Sequence, residues 1–237
     1  MMVSRTALIT GASKGIGRAT ALRLLRADAQ VGTLVVVARA SDAFASTVEE
    51  LRRAAANGVE IVDVALDVGD REALVATVPQ IHTRVGNVDV LVNNAGYTNP
   101  VAIHQVDFAD FERTMAVNVY GPFGLVQELL HRGNRFEIIV NVASTAGMNG
   151  RAGWLTYSAS KAALINMSEV MREELKVDGT RVVCLSPGRT ATDLRRVLAP
   201  EEDPATIMQP EDVAEVIGVM LGPAGQFIDQ QNVVVRH

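Results

Sequence analysis

Short apolar runs alternate with longer amphipathic stretches along the whole 237-residue chain. The runs at 6–10, 34–38, 60–66, 88–92, 136–142, 181–186 and 232–236 are nearly continuous in Val, Leu, Ile and Ala. Such runs read as strands buried on both faces rather than on one. The first is followed at once by a glycine turn and a helix. Ile16, Ala19, Leu22, Leu24 and Leu25 share the apolar side of that helix, and Arg18, Arg23 and Arg26 are left for water. Ser41 can cap the next helix, which is expected to end near Asn57-Gly58. Residues 70–85 read as a helix stopped by Gly86, and 108–131 as one long helix. The helix after Ser144 runs to about 177, before Asp178-Gly179, and Pro210 opens a last helix to Leu221. The stretch 194–208, with two prolines and mixed charge, looks like a mobile segment over a site. Strand and helix alternate with no repeat and no shift of composition. The expectation is an α/β fold, a doubly wound seven-stranded parallel sheet with helices on both faces, and a single domain over 1–237.

Composition refines that picture. With 48% hydrophobic but only 4% aromatic residues, the interior is Ala, Val and Leu, the usual filling between helices and a parallel sheet. A net charge of −5 and no basic run argue against a nucleic-acid partner. Charges interrupt every helix-like apolar stretch, so no membrane span is expected. The first strand begins too soon after Met1 for a signal peptide, which makes the cytoplasm the expected location. Cys184, the single cysteine, lies in an apolar run and reads as packing. The four histidines have no ligand spacing, so no metal is expected.

Candidate chemistry sits where strands end. Gly11-Ala12-Ser13-Lys14-Gly15-Ile16-Gly17 lies between a strand and a helix, the context in which glycines let backbone amides approach a pyrophosphate. A Rossmann-type dinucleotide site follows, a bare βα turn being the plain alternative. The second strand ends at Arg39, where a carboxylate would hold a free ribose 2′-hydroxyl; Arg39 and Lys14 together suit a 2′-phosphate, although each alone is an ordinary loop charge. Asp67-Val68 ends the third strand as a plausible contact for an adenine edge. Asn94, Ala95 and Gly96 follow the fourth, where an amide either ties loops together or touches the ligand. Asn118 falls mid-helix among Ala116, Val117 and Val119. It is either a surface residue or a buried amide at a helix distortion with a bound water. Tyr157 and Lys161 stand four residues apart on one helix face. An ammonium there would lower the phenol's pKa from about 10 toward the working range. Ser144, just past the fifth strand, could hold a substrate oxygen beside that phenol.

These segments, in this order, closely resemble the short-chain dehydrogenase/reductase family: TGASKGIG at 10–17, Asp67-Val68, NNAG at 93–96, Asn118, Ser144, Tyr157-x-x-x-Lys161 and Pro187-Gly188. The resemblance implies that Tyr157 is the general acid or base and that Ser144 orients the carbonyl or alcohol. Lys161 would bind the nicotinamide ribose and lower the phenol's pKa, and Asn118 would hold a water of the proton relay. It also implies NADP as cofactor, from Lys14 and Arg39, with Thr192 near the nicotinamide amide or the pyrophosphate. Thr190 stands where the family usually has a hydrophobic residue, so local packing should differ while a backbone contact to the cofactor persists. The tail 227–236 lacks the family's final double glycine, which often helps build tetramers. The helices 108–131 and 155–177 carry more apolar residues than one sheet face covers, and in the family this pair forms the dimer interface. A homodimer or homotetramer is implied.

The expected function is NADPH-dependent reduction of a ketone or aldehyde, reversible as alcohol oxidation. A catalytically idle NADP-binding sensor or scaffold is the alternative, and its mark would be loss of the Tyr or the Lys. A related epimerase or dehydratase would need a larger C-terminal region than this chain has. The substrate pocket should be lined by 97–101, 145–154 and 189–208. Met148, Trp154, Leu155, Leu194 and Met208 make it read as largely apolar, which favours an uncharged ketone; Arg151, Arg189 and Arg195 leave an acidic one open.

Overall fold

The computed structural model describes residues 4–55, 58–228 and 232–236. Among them, β1 (Arg5–Thr10), β2 (Val31–Ala38), β3 (Glu60–Ala65), β4 (Val90–Asn93), β5 (Ile138–Val142), β6 (Arg181–Pro187) and β7 (Val233–Val235) form one sheet. All its pairings are parallel, in the order β3-β2-β1-β4-β5-β6-β7. The helices are α1 (Gly15–Leu24), α2 (Asp42–Ala54), α3 (Arg71–Val85), α4 (Phe108–Met115), α5 (Gly121–Leu130), α6 (Leu155–Leu175), α7 (Asp193–Leu198) and α8 (Pro210–Leu221).

Successive strand residues point to opposite faces, so a continuous apolar run can be filled on both sides. Ile9, Val36, Val92, Val140 and Leu185 face one layer, where Leu24 of α1, Leu51 of α2 and Ile217 of α8 pack on them. Leu8, Val35, Leu91, Ile139 and Val182 face the other, beneath Val78 of α3, Leu129 of α5 and Met171 of α6. All ten of these strand side chains are fully buried. Each contributes about 1.5–3 kcal/mol of transfer free energy. The chain's winding reverses between β1 and β4, and the carboxyl ends of those two neighbours open a crevice.

The helix starts follow from their caps. Ser41 accepts from the Phe44 N–H at the head of α2, and Asp70 accepts from the Ala73 N–H at the head of α3. Pro210 opens α8 within a Gln209–Asp212 capping box. Gly86, with φ at +71°, closes α3.

The helix expected over 108–131 is divided at the distortion that Asn118 suggested: a π turn, Ala116–Tyr120, separates α4 from α5. Most of α7 and a 3₁₀ turn, Pro204–Thr206, lie in the segment 194–208. β2 begins at Val31, three residues before the apolar run that marks it, because its first residues pair with the start of β1. The helix end expected near Asn57 lies outside the described residues; α2 stops at Ala54.

Candidate active site

A cleft of about 590 Å³ opens along the carboxyl ends of the strands. It brings together residues that are distant in sequence: Gly11, Ser13, Lys14, Gly15 and Ile16, then Arg39, Asp67, Val68, Asn94, Ala95 and Gly96. Ser144, Tyr157, Lys161, Pro187, Gly188, Thr190 and Thr192 complete the expected set along it. Gly17 and Asn118 do not reach its lining. Gly17 sits under the turn, where a Cβ would lie 2.3 Å from the Gly11 carbonyl oxygen, so its lack of a side chain lets α1 pack onto the turn.

At the glycine end, the first turn of α1 has neither a capping side chain nor an acidic residue. Its free N–H groups and partial positive charge are therefore available to a phosphate. Arg39 is exposed and has no carboxylate or hydrogen-bond partner among the described residues. Lys14 is not free in the same way: its Nζ lies 2.6 Å from Asp193 Oδ2, at the head of α7. Asp67 is committed too. Its carboxylate pairs with Arg113 of α4 and accepts from the Gly69 N–H. Burial pushes the Asp67 carboxyl up, but those two contacts, helped by the nearby Arg39 charge, hold it below the usual carboxylate range. Arg113 also lies over the Tyr97 ring, 5.9 Å from its centre. A glycine cradle, an uncapped helix start and an unpaired guanidinium fit a dinucleotide with a 2′-phosphate.

The Asn94 side chain ties the loops together and still lines the cleft. Its Nδ2 donates to the Thr10 and Gly11 carbonyls at 3.0 and 3.2 Å. The Thr10 hydroxyl in turn accepts from the Asn94 and Ala95 N–H groups. Thr10, the first residue of the TGASKGIG segment, thus joins the end of β1 to the loop after β4.

At the other end of the cleft, Ser144 follows β5 and caps a 3₁₀ turn, accepting from the Ala146 N–H at 3.1 Å. That turn lies directly on α6. A Cβ on Gly147 would be 2.6 Å from the Lys161 carbonyl carbon, so a glycine there lets the Ser144 loop press against the helix carrying Tyr157 and Lys161. The Ser144 hydroxyl lies near enough to the Tyr157 phenol to pull its pKa down. Tyr157 and Lys161 are both buried, 6% and 3% exposed. Lys161 Nζ donates to the Val142 carbonyl at 2.8 Å and stands 5.8 Å from the Tyr157 ring centre.

The expected lowering of the phenol's pKa is not what this geometry gives. Burial pushes Tyr157 above its ordinary value; the Ser144 hydroxyl and the Arg195 charge pull down but do not outweigh it. The ammonium is anchored on the Val142 carbonyl rather than on the phenol, and burial lowers its own pKa to about 8.

Asn118 is fully buried in the π turn. Its Oδ1 accepts from the Tyr97 N–H, and its Nδ2 donates to the Tyr97 carbonyl and the Ser160 hydroxyl, all within 2.9 Å. Ser160 donates onward to the Tyr157 carbonyl. The amide therefore braces the loop after β4 against α6, and no donor of the side chain remains for a water. Pro122, four residues on, has no N–H for the Asn118 carbonyl, which is thus released from the α-helical pairing.

The pocket beyond Tyr157 is less apolar than expected. Met208 is buried in the core layer under α8, its carbonyl accepting from the Ala191 N–H, and Met148 is half exposed at the surface. Trp154, Leu194 and Leu198 remain in the lining with Arg151, Arg189 and Arg195. Thr190 is buried and turns its hydroxyl to the Gly188 carbonyl, which allows a polar residue where packing favours an apolar one.

This arrangement matches known proteins along nearly its whole length. The sequence pattern described as "short chain dehydrogenase" fits residues 5–203. A 3-oxoacyl-[acyl-carrier-protein] reductase of Synechocystis is 34% identical, over 97% of this chain and 94% of its own. Among solved structures, a putative short chain dehydrogenase from Pseudomonas syringae superposes with a TM-score of 0.86 at 28% identity, covering 97% of this chain and 94% of that one. A short chain dehydrogenase from Burkholderia cenocepacia, solved in complex with NADP, superposes at 0.85 with 26% identity, covering 98% and 96%. Fold and sequence pattern agree, and the chain belongs to the short-chain dehydrogenase/reductase family.

Proposed function

We propose that this chain is a reversible NADPH-dependent reductase of ketones or aldehydes, with Tyr157 as general acid and base. The whole of 1–237 would serve as one cofactor-binding and catalytic domain acting on a small molecule in the cytoplasm. One observation carries the reading: a buried phenol that shares one cleft with Ser144, Lys161 and Arg39. The 3-oxo reductase named among the relatives and the NADP complex among the structures support it.

When bound, the cofactor supplies a hydride to the carbonyl carbon. The Ser144 and Tyr157 hydroxyls hold the carbonyl oxygen, and Tyr157 gives its proton to that oxygen as negative charge develops there. A phenol kept above its ordinary pKa stays protonated through neutral pH, the state that reduction requires. Lys161, with a pKa of about 8, is mostly charged at pH 7 and favours the phenolate left behind. The Asn118 carbonyl, without its α-helical donor, serves to hold the water that restores the proton.

The test is purified chain with NADPH against a panel of ketones and aldehydes, following loss of reduced cofactor. Turnover of some of the panel, abolished in Tyr157→Phe, is expected. Tight NADPH binding with no turnover across a broad panel would favour the idle sensor or scaffold instead.

A further inference from the structure

Basic side chains also line the cleft around the proton donor. Three guanidiniums meet there, and a single carboxylate answers them. Glu202 takes Arg195, Nε to Oε2 at 2.5 Å, and also Arg189, Nη1 to Oε1 at 3.3 Å. Arg151 lines the same cleft, and its side chain has no carboxylate or hydrogen-bond partner among the described residues. Its guanidinium lies over the Trp154 ring, whose centre is 5.1 Å from its Cζ. Arg195 lies 5.5 Å from that same ring, and the ring meets Tyr157 edge-on at 6.4 Å. One aromatic side chain thus stands between an open guanidinium and the phenol that carries the proton.

Stacking on an indole holds a guanidinium in place while leaving its N–H fork open for a carboxylate or phosphate. The surplus is local, because the chain as a whole carries a net charge of −5. Other residues of the cleft suit the cofactor's phosphates: the uncapped start of α1, Lys14 and Arg39.

We propose that Arg151 binds an oxyanion on the substrate, so that the ketone reduced here carries a carboxylate or a phosphate a few bonds from its carbonyl. This rests on the reading of the chain as a ketone reductase. The oxyanion takes no part in the redox step. It positions the carbonyl against Ser144 and Tyr157 and replaces the partner that Arg151 lacks.

The test uses the full chain with NADPH and two matched pairs: 3-oxobutanoate against its methyl ester, and dihydroxyacetone phosphate against dihydroxyacetone. In at least one pair the charged member should have the higher kcat/KM, by roughly 10- to 100-fold, the range given by charge-assisted hydrogen bonds. Most of the difference should lie in KM. The pair that shows it identifies the oxyanion as carboxylate or phosphate. Arg151→Gln should remove the charged-to-neutral ratio, and Arg151→Lys should restore part of it. Trp154 is the only tryptophan. Its emission in the NADP-loaded protein should therefore respond to titration with 3-hydroxybutanoate or glycerol 3-phosphate, and Arg151→Gln should lose that response. Reduction of the neutral members as well as, or better than, the charged ones would overturn this proposal and leave the reductase reading standing, as would an unchanged ratio in Arg151→Gln. No reduction of any of the four, together with no turnover of the wider panel, would overturn both.

Discussion

Lys14 on the glycine loop and Asp193 at the head of α7 meet across the mouth of the cleft, Nζ to Oδ2 at 2.6 Å, with both side chains at least half exposed. The Lys14 ammonium holds the Asp193 carboxyl below the usual carboxylate range. The same ammonium is one of the two cations suited to a 2′-phosphate, so the two anions compete for it. Asp193→Asn should free Lys14 and tighten NADPH binding by roughly 2- to 5-fold, with a stability loss below about 1 kcal/mol, as for exposed ion pairs. Cofactor titration and a urea midpoint read both quantities. Unchanged or weaker NADPH binding would show that Lys14 does not serve the phosphate.

Arg39 bears the larger share of cofactor choice, since it has no competing partner among the described residues. With hydrogen bonds to charged groups at about 1.5–3 kcal/mol each, a preference for NADPH over NADH of roughly 10- to 1,000-fold is expected. Arg39→Asp should erase or reverse it. The measurement is kcat/KM with each cofactor on one substrate, and equal values in the unmutated protein would overturn the assignment.

Tyr157→Phe keeps the ring that packs edge-on against Trp154 and removes only the hydroxyl. Turnover should fall by about 10²–10⁴-fold, the range for a positioned acid–base group, with NADPH affinity nearly intact. Activity within a few-fold of the parent would mean that another group delivers the proton.

Lys161 makes a prediction about stability and pH. Its pKa is lowered by burial to about 8, against an ordinary value of 10.5. Below pH 8 the native ammonium is charged and carries its full burial penalty. Between pH 8 and 10.5 the unfolded chain binds the extra proton, so native stability rises with pH through that window. Lys161→Met should therefore be inactive yet as stable as the parent or up to about 2 kcal/mol more stable at pH 7, part of the gain being offset by the Val142 carbonyl left without its donor. That advantage should shrink by pH 10. Urea unfolding at the two values, without cofactor, tests it; a gap that widens with pH would be wrong in sign.

Phe108, Tyr120 and Phe123 on the α4–α5 arm are 82%, 61% and 45% exposed, and Val170 on α6 is 50% exposed. A surface this apolar is expected to pair with its copy as a homodimer or homotetramer. Light scattering at micromolar concentration should give at least a dimer, and Phe123→Lys should shift it toward monomer. A clean monomer for the parent chain would remove this expectation.

Much of this protein is written locally. Short Val, Leu and Ile runs fix the strands because alternating residues must fill two faces, and Ser41, Asp70 and Gly86 fix helix ends because orphan N–H and C=O groups need partners within a turn. Tyr157 and Lys161 share a face through helix geometry alone. What the tertiary structure decided concerns charge and water. Lys14 finds Asp193 179 positions away, Arg195 and Arg189 find Glu202, and the Arg39 and Arg151 side chains form no ion pair among the described residues; no local pattern distinguishes these arginines. Burial sets the direction of the Tyr157 and Lys161 pKa shifts, and burial depends on β5, the Ser144 loop and α6 packing together. Met208 reads as pocket lining from its position in the chain, yet it lies in the core because the segment after β6 doubles back against Thr190. Periodicity acts over a few residues, whereas solvation and ion pairing act between groups that only the folded sheet brings within reach.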